Sequence, residues 1–589
     1  MTNSSNTNKK ESLNKVPPVI NLTGEIKDAF FTLGLRDRPS GKQVKNHLES
    51  LLKSGVNVLD HITKISQKFF YHYQLSQNPQ LEDVLKPYAD GIGININTLI
   101  SLYLIPELGS SFDFILNPKY RLIPWGCSTF FYWDEKTNSP LHGRILDFPL
   151  GQTYEENQRT IIYQLKDRQK IVSTGLSLFP YPGISAFNES GISLSLHQKF
   201  TANFSLQGTP VFDVAFKILS YATNIDDVLK ILKENPLITT WGFYLTFKDS
   251  TALCIDHFSA TNFKPHFFDL KNSGPLYFAN ENLNQNDPSN FPSQKTYQIP
   301  FGVEISSQMR SKSFEKLTKS PLNPLLKIKE PAPLRLLSLM SSSFSESESE
   351  SESESLHSQH QFQNAANWNQ SFVNFGTLEV LVINASENQI FLVPSLNEKF
   401  LRQHFFHLEN IFNENHPHYK IHELPISLQS LHLDPLYFQG YQYLGRALSH
   451  YDQGHLPRAF HFIQMGIDEL KNYPESTIAQ FYFQVWQYIH TTDDNEFSWI
   501  LQQFKLLENI LPSYLNDHLL LFLLRLKKIT GRNFEHLSLP QHPQLAKIFH
   551  WEKKLPVIVI KQLRRLIFPQ MGNLEIIYLY QKMVDSIWD

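Results

Sequence analysis

The sequence predicts an α+β protein in three parts: a helical leader, a β-rich centre and an all-α C-terminal region. Three observations carry this. Leu48, Leu52, Val56, Leu59, Ile62 and Ile65 recur every three or four positions, the spacing of one helical face. From Cys127 the period shortens to two, in short runs divided by turn residues, which is a strand pattern. Past residue 430 long helical stretches return.

A chain of 589 residues with 41% hydrophobic content can bury large cores and divides into more than one unit. Its 53 basic and 56 acidic side chains leave a net charge of -3, which excludes a strongly basic nucleic-acid binder. Cys127 and Cys254 are its two cysteines. They build no disulfide framework and point to a reducing compartment, the cytoplasm. Met1 to Val16 lacks the apolar run of a signal peptide. No segment reaches the roughly 18 apolar residues of a membrane span: Leu519–Leu524 is stopped by Arg525, Lys527 and Lys528.

Taken in order, residues 1–20 are polar and expected to be a disordered tail, and 21–126 a helical leader in which Gly91-Ile92-Gly93-Ile94-Asn95 separates two helices. The centre, 127–400, carries strands at Ser128–Trp133, His142–Phe148, Thr160–Leu165, Ile171–Leu178, Gly183–Phe187 and Ile192–His197. Helices follow at Val211–Ala222 and Ile225–Lys233, with Asp226 and Asp227 where carboxylates complement a helix dipole. Trp241–Phe247, Ala252–His257 and Pro275–Ala279 read as strands, Met309–Leu317 and Ala332–Met340 as helices, and Phe375–Ile383 with Gln389–Pro394 as a hairpin. The Ser/Glu alternation within 341–360 has no apolar face to bury and reads as a disordered loop. Pro417, Pro425 and Pro435 mark a linker, set at 401–430, and 431–589 is a helical domain whose Gly445, Gly454 and Ala459 resemble one tetratricopeptide hairpin.

The chemistry is concentrated at Trp125-Gly126-Cys127-Ser128-Thr129, with Gly143-Arg144-Ile145-Leu146-Asp147-Phe148 returning on the next strand. A thiol at a strand start suits a nucleophile whose own α-amino group is the base, since an amine near ~8 is matched to a thiol near ~8.5. That requires cleavage before Cys127. Arg144 and Asp147, three apart on a strand, fall on opposite faces, so a bulge or strand end is expected to bring both to the thiol.

These motifs resemble the N-terminal-nucleophile hydrolases of the choloylglycine hydrolase, acid ceramidase and acyl-CoA:isopenicillin N-acyltransferase group. Phe187-Asn188-Glu189-Ser190-Gly191-Ile192 resembles that group's Asn-x-x-Gly-Leu stretch, and Asn280 its later asparagine. The resemblance implies a four-layer αββα sandwich over roughly residues 20–400, self-cleavage between Gly126 and Cys127, and attack on a linear, non-peptide amide. It also implies a leader severed or displaced on maturation. Cys127, Arg144, Asp147, Asn188 and Asn280 are then the catalytic set, the two asparagines giving oxyanion donors, with Arg310 as a further candidate. Glu281 stands where that group has histidine, and Ile145 where a polar residue is commoner. The substrate is a small-molecule acyl amide, with hydrolysis and acyl transfer both open, and no cofactor or metal is implied. The acyl and amine groups stay open among bile-salt-like, N-acylethanolamine, ceramide, penicillin and amino-acyl amides.

Two other readings stand beside this one. A papain-like hydrolase without self-cleavage pairs Cys127 with His197 or His257, but needs the cysteine at a helix start. Alternatively the fold is inactive and the C-terminal helices bind a protein partner. His404 and His407 read as an i, i+3 pair on a helix surface without a third metal ligand. The basic residues around Leu555–Ile560 read as ordinary packing, since Pro556 interrupts any membrane-surface helix.

Overall fold

The computed structural model describes residues 16–52, 74, 80–107, 126–148, 150–199, 203–259, 263–281, 283, 301–319, 325, 329–341, 372–373, 376–393, 404–413, 417–425 and 435–564. The first fifteen residues, Val56–Ile65 of the leader and the Ser345–Ser355 run lie outside them.

The leader contributes β1 (Val19–Gly24), α1 (Ile26–Leu52), α2 (Gln80–Ile92) and α3 (Ile96–Tyr103). The centre begins with β2 (Gly126–Asp134), β3 (Ser139–Asp147), α4 (Gly151–Asn157), β4 (Gln158–Leu165), β5 (Ile171–Leu176), β6 (Ser185–Asn188) and β7 (Ser193–Gln198). It continues through α5 (Val211–Tyr221), α6 (Ile225–Glu234), β8 (Trp241–Thr246), β9 (Thr251–His257), β10 (His266–Asp269), α7 (Leu270–Ser273) and β11 (Leu276–Phe278). Next come α8 (Phe301–Lys319), α9 (Ala332–Met340), β12 (Thr377–Asn384), β13 (Gln389–Leu392), β14 (His404–Leu408) and β15 (Lys420–Glu423). The C-terminal helices are α10 (Pro435–Asp452), α11 (Leu456–Glu469), α12 (Pro474–His490), α13 (Asp494–Leu507), α14 (Ser513–Ile529), α15 (Pro543–Lys554) and α16 (Val557–Leu563).

Local signals set several boundaries. Gly93, at φ 76°, ends α2, and the Asn95 side chain accepts from Asn97 N to start α3. Asn224 caps α6 above the acidic pair Asp226 and Asp227. The β2–β3 hairpin turns at Glu135–Asn138, where Asn138 takes φ 51°. Ser139 and Pro140 already belong to β3.

Among the described residues two sheets result, one ordered β1-β4-β5-β6-β7-β8-β9-β10 and the other β11-β2-β3-β12-β13-β14-β15. Strand alternation explains how they stack. Ile162, Val172 and Phe187 of the first sheet cluster with Leu381 and Ile383 of the second, so these faces pack together. Tyr163 on the other face of the first sheet meets Phe30 of α1 and Phe216 of α5. Phe130, Ile145, Val380 and Val382 on the other face of the second sheet pack under α9 residues Leu336, Leu337 and Met340. Helix, sheet, sheet and helix thus form four layers, the α+β architecture the sequence suggests.

The leader is more than helical. β1 pairs in parallel with β4, from Val19 opposite Thr160 to Gly24 opposite Leu165. Asp37 of α1 is buried against Arg159 of β4 and accepts from Tyr88 of α2 at 2.5 Å. An unpaired buried Arg159 would be strongly destabilising, so the leader is built into the sandwich. Its last described residue, Glu107, accepts from Val211 N at 2.7 Å, Thr239 Oγ1 at 2.6 Å and Trp241 Nε1 at 3.0 Å.

Burial raises the Glu107 pKa to about 7, against the lowering effect of those three hydrogen bonds. The fold therefore disfavours the ionised form. Below about pH 4.5 Glu107 is neutral folded or unfolded and costs nothing; between there and about pH 7 stability falls by about 3 kcal/mol from this group alone, then levels. Glu107→Gln is expected to flatten that part of the pH profile, measured by urea unfolding midpoints. An unchanged slope would contradict the assignment.

Two stretches differ from the sequence reading. His404 and His407 lie on a strand, β14, and β15 follows it inside the interval read as a linker. Phe405 is buried in the cluster on one face of the sheet and Phe406 in the cluster on the other, while His407 stacks on Phe391, so successive residues of His-Phe-Phe-His face opposite sides of a strand and do not share a helix face. Beyond it, helices α10 to α15 pack each on the next and α16 returns to α14, around cores of their own. Gly454, at φ 78°, turns α10 into α11, and Gly440 and Gly466 let these two helices close on Leu470 and Leu444. This domain braces the centre through α10, where Ser449 packs on Gly151 and Gln453 Nε2 reaches Thr153 Oγ1 at 3.5 Å.

Candidate active site

The β2–β3 register pairs Gly126 with Asp147, Cys127 with Leu146 and Thr129 with Arg144. Cys127, Thr129, Arg144 and Leu146 therefore share the face turned to the other sheet, while Ser128 and Asp147 share the face under α8. Arg144 Nη2 donates to Cys127 Sγ at 2.9 Å and to the Leu196 carbonyl at 2.7 Å. Its Nε and Nη1 are buried without a hydrogen-bond partner among the described residues. Two unmet donors on a buried guanidinium are costly in a resting fold and suited to receiving an oxygen of a bound molecule.

Asn280, immediately after β11 and Ala279, accepts from Cys127 N through Oδ1 at 2.8 Å and donates through Nδ2 to the Gln198 carbonyl at 3.1 Å. Asp147 reaches the site from the opposite face. Its Oδ1 accepts from Thr377 Oγ1 at 2.6 Å, and its Oδ2 sits where a Cβ on residue 126 would be. Glycine at 126 thus makes room for the carboxylate. No bulge in β3 is needed to gather the pair; the register shift lies on the partner strand, between Thr377 and Glu379. Arg310 of α8 completes this side, with Nη1 2.7 Å from Ser128 Oγ, 3.4 Å from the Cys127 carbonyl and 3.6 Å from Asp147 Oδ2.

Asn188 is not brought in. It ends β6 and ties the β6–β7 turn, accepting from Ile192 N at 3.0 Å and donating to the Leu219 and Ala222 carbonyls at the end of α5. The strand it turns into does reach the site, at its far end, where Gln198 lines the cavity beside Cys127. The Asn-x-x-Gly pattern drew attention to the turn; the Gln-Lys pair closing the following strand was the signal passed over.

The electrostatics favour a protonated thiol while Gly126 and Cys127 remain joined. Burial pushes the Cys127 pKa up, Arg144 pulls it back and Asp147 adds to the rise. A base is then required for nucleophilic chemistry. Neither histidine of the papain-like reading serves. Cys127 stands on a strand, His197 is bonded to Thr129 Oγ1 and the Ala279 carbonyl, and His257 Nε2 faces the Asn235 carbonyl.

Cys127, Arg144 and Gln198 are the polar end of a cavity between the leader and the centre. The remaining wall is overwhelmingly apolar, with Leu176, Phe179, Phe212 and Trp241 from the centre and Leu48 and Pro106 from the leader. Among the described residues no group of three or more His, Cys, Asp or Glu is disposed to hold a metal ion, and no helix is long and apolar enough to cross a membrane.

No protein-family model and no curated protein matches the chain. Among solved structures it is similar to the Caenorhabditis elegans N-acylethanolamine-hydrolyzing acid amidase (NAAA) ortholog. That likeness has a TM-score of 0.25 and 10% sequence identity, and covers 44% of this chain and 93% of the other.

Proposed function

We propose that the chain is a thiol-dependent N-terminal-nucleophile amidohydrolase or acyltransferase acting on linear amides with a long apolar acyl chain. The observation that carries this is the buried Arg144–Cys127 contact at the polar end of an apolar cavity, with two guanidinium donors left over.

Activation comes first. Cys127 sulfur attacks the Gly126 carbonyl, its proton passes to the departing Cys127 nitrogen, and a thioester replaces the peptide bond. Water then releases the Gly126 carboxylate and restores the thiol. Asn280, already accepting from this nitrogen, holds the freed amine, and the adjacent Asp147 carboxylate favours its protonated state. Because β1 belongs to the larger sheet and the leader walls the cavity, the severed leader stays bound.

Turnover uses the same atoms. The Cys127 amine takes the thiol proton, sulfur attacks the substrate carbonyl, and Arg144 Nε and Nη1 with Asn280 Nδ2 supply donors to the oxyanion. The amine proton passes to the leaving nitrogen. Water or a second amine then takes the acyl group from sulfur. The absence of disulfide pairing at Cys127 and Cys254, both free and buried, suits a cytoplasmic setting.

A series of N-acyl amides of increasing acyl length tests the substrate class. At about 0.8 kcal/mol per buried methylene, kcat/KM is expected to rise on the order of a thousandfold from acetyl to octanoyl, six methylenes longer. A flat series, or preference for charged acyl groups, would sink the assignment.

A further inference from the structure

Three consecutive residues, His197, Gln198 and Lys199, hold the segment Ala279-Asn280-Glu281 at three successive points. His197 Nδ1 lies 3.0 Å from the Ala279 carbonyl, the Gln198 carbonyl accepts from Asn280 Nδ2 at 3.1 Å, and Lys199 Nζ donates to the Glu281 carbonyl. Strand alternation makes this grip natural. His197 and Lys199 project on one face and reach the carbonyls on either side of Asn280, while the main chain between them meets its amide.

Each hold is itself fixed. The Ala279 carbonyl can only accept, so His197 Nδ1 carries the proton and Nε2 accepts from Thr129 Oγ1 at 2.7 Å. The ring is fully buried, and burial together with the charges of Arg144 and Lys199 keeps its pKa well below the usual histidine range. Every further donor follows by elimination. Ser195 donates to Thr129 at 2.7 Å, His142 Nε2 to Ser195 at 2.9 Å, Ser193 to His142 Nδ1 at 2.7 Å and Thr246 to Ser193 at 2.5 Å. One directed chain of hydrogen bonds thus runs between the sheets and ends beside Asn280. On the other side, Lys199 Nζ bonds Tyr244 OH at 2.9 Å and pairs with Asp256 Oδ1 at 3.3 Å; Asp256 Oδ2 takes Leu283 N at 2.7 Å.

We propose that His197 and Lys199 are positioning residues that register Asn280 against the Cys127 nitrogen and the oxyanion. This rests on the nucleophile reading above. Neither side chain touches substrate. They act through Asn280, whose displacement by about 1 Å would cost on the order of a hundredfold in rate.

The test compares wild type with His197→Leu, His197→Asn, Lys199→Met and Lys199→Arg, using a long-chain N-acyl amide. Loss of kcat by roughly 10- to 100-fold is expected for His197→Leu and Lys199→Met, with KM, set by the apolar cavity, within about threefold. Asn at 197 keeps a donor for the Ala279 carbonyl, and Arg at 199 keeps the cation, so both are expected to recover most of kcat. Nitrogen-15 spectra of histidine-labelled wild type, assigned by difference from His197→Asn, are expected to show Nδ1 protonated and Nε2 bare across about pH 5 to 9. Full kcat in His197→Leu and Lys199→Met, a loss that the conservative variants do not recover, or the opposite tautomer each overturns the clamp. A wild-type protein that turns over no amide and whose Cys127 resists acyl-transfer probes overturns the nucleophile reading first, and the clamp falls with it.

Discussion

Cys127→Ala yields a folded chain with no measurable amide turnover, a loss on the order of 10⁴ or more. The fold survives because the change removes one sulfur from a site whose frame is the β2–β3 pairing, and a cavity of that size costs about 1 kcal/mol. Chemistry does not survive, because Asn280, Arg144 and Asp147 are all disposed about this one residue and none is itself a nucleophile in the scheme. The check is steady-state turnover of a long-chain N-acyl amide beside a thermal melt. Residual turnover above a few per cent with an intact fold would move the nucleophile elsewhere.

Arg144→Leu is the second large effect, with kcat expected to fall by roughly 10² to 10³. Three losses coincide. The thiol loses the cation that pulls its pKa down, so at any given pH below that pKa less thiolate is present and the rate profile moves to higher pH. The oxyanion loses the Nε and Nη1 donors, and the Leu196 carbonyl loses its partner. Arg144→Lys keeps the charge but not the planar fork, and is expected to recover the pH profile better than kcat. A kcat within about threefold of wild type in Arg144→Leu would show that the guanidinium is structural only.

Local features were legible in the sequence, and those made by distant pairing were not. The hairpin that carries Cys127, Arg144 and Asp147 is one strand, one turn and one return, so spacing alone put Arg144 and Asp147 on the strand beside Cys127, though on opposite faces of it. Even there, the space over Gly126 that admits Asp147 is a three-dimensional fact with no sequence signature beyond the glycine. Asn188 falls outside the site because an asparagine before Glu-Ser-Gly satisfies a turn as well as it serves a site, and here carbonyls at the end of α5 claim its amide. β1 was hidden because its pairing partner, β4, lies more than a hundred residues on. The cavity is harder still: Leu48, Pro106, Leu176, Phe212 and Trp241 come from separate elements and read one by one as ordinary core.

The central claim is that Cys127 becomes residue one of a mature chain that keeps its leader. Intact-mass analysis of wild type under denaturing and native conditions, beside Cys127→Ala, tests it most directly. Under denaturing conditions wild type should give two fragments, one ending at Gly126 and one beginning at Cys127, and under native conditions a single species with the mass of both; Cys127→Ala should remain one unbroken chain throughout. A wild-type chain that stays whole while hydrolysing amides, or a Cys127→Ala chain that still divides at this bond, would contradict the account.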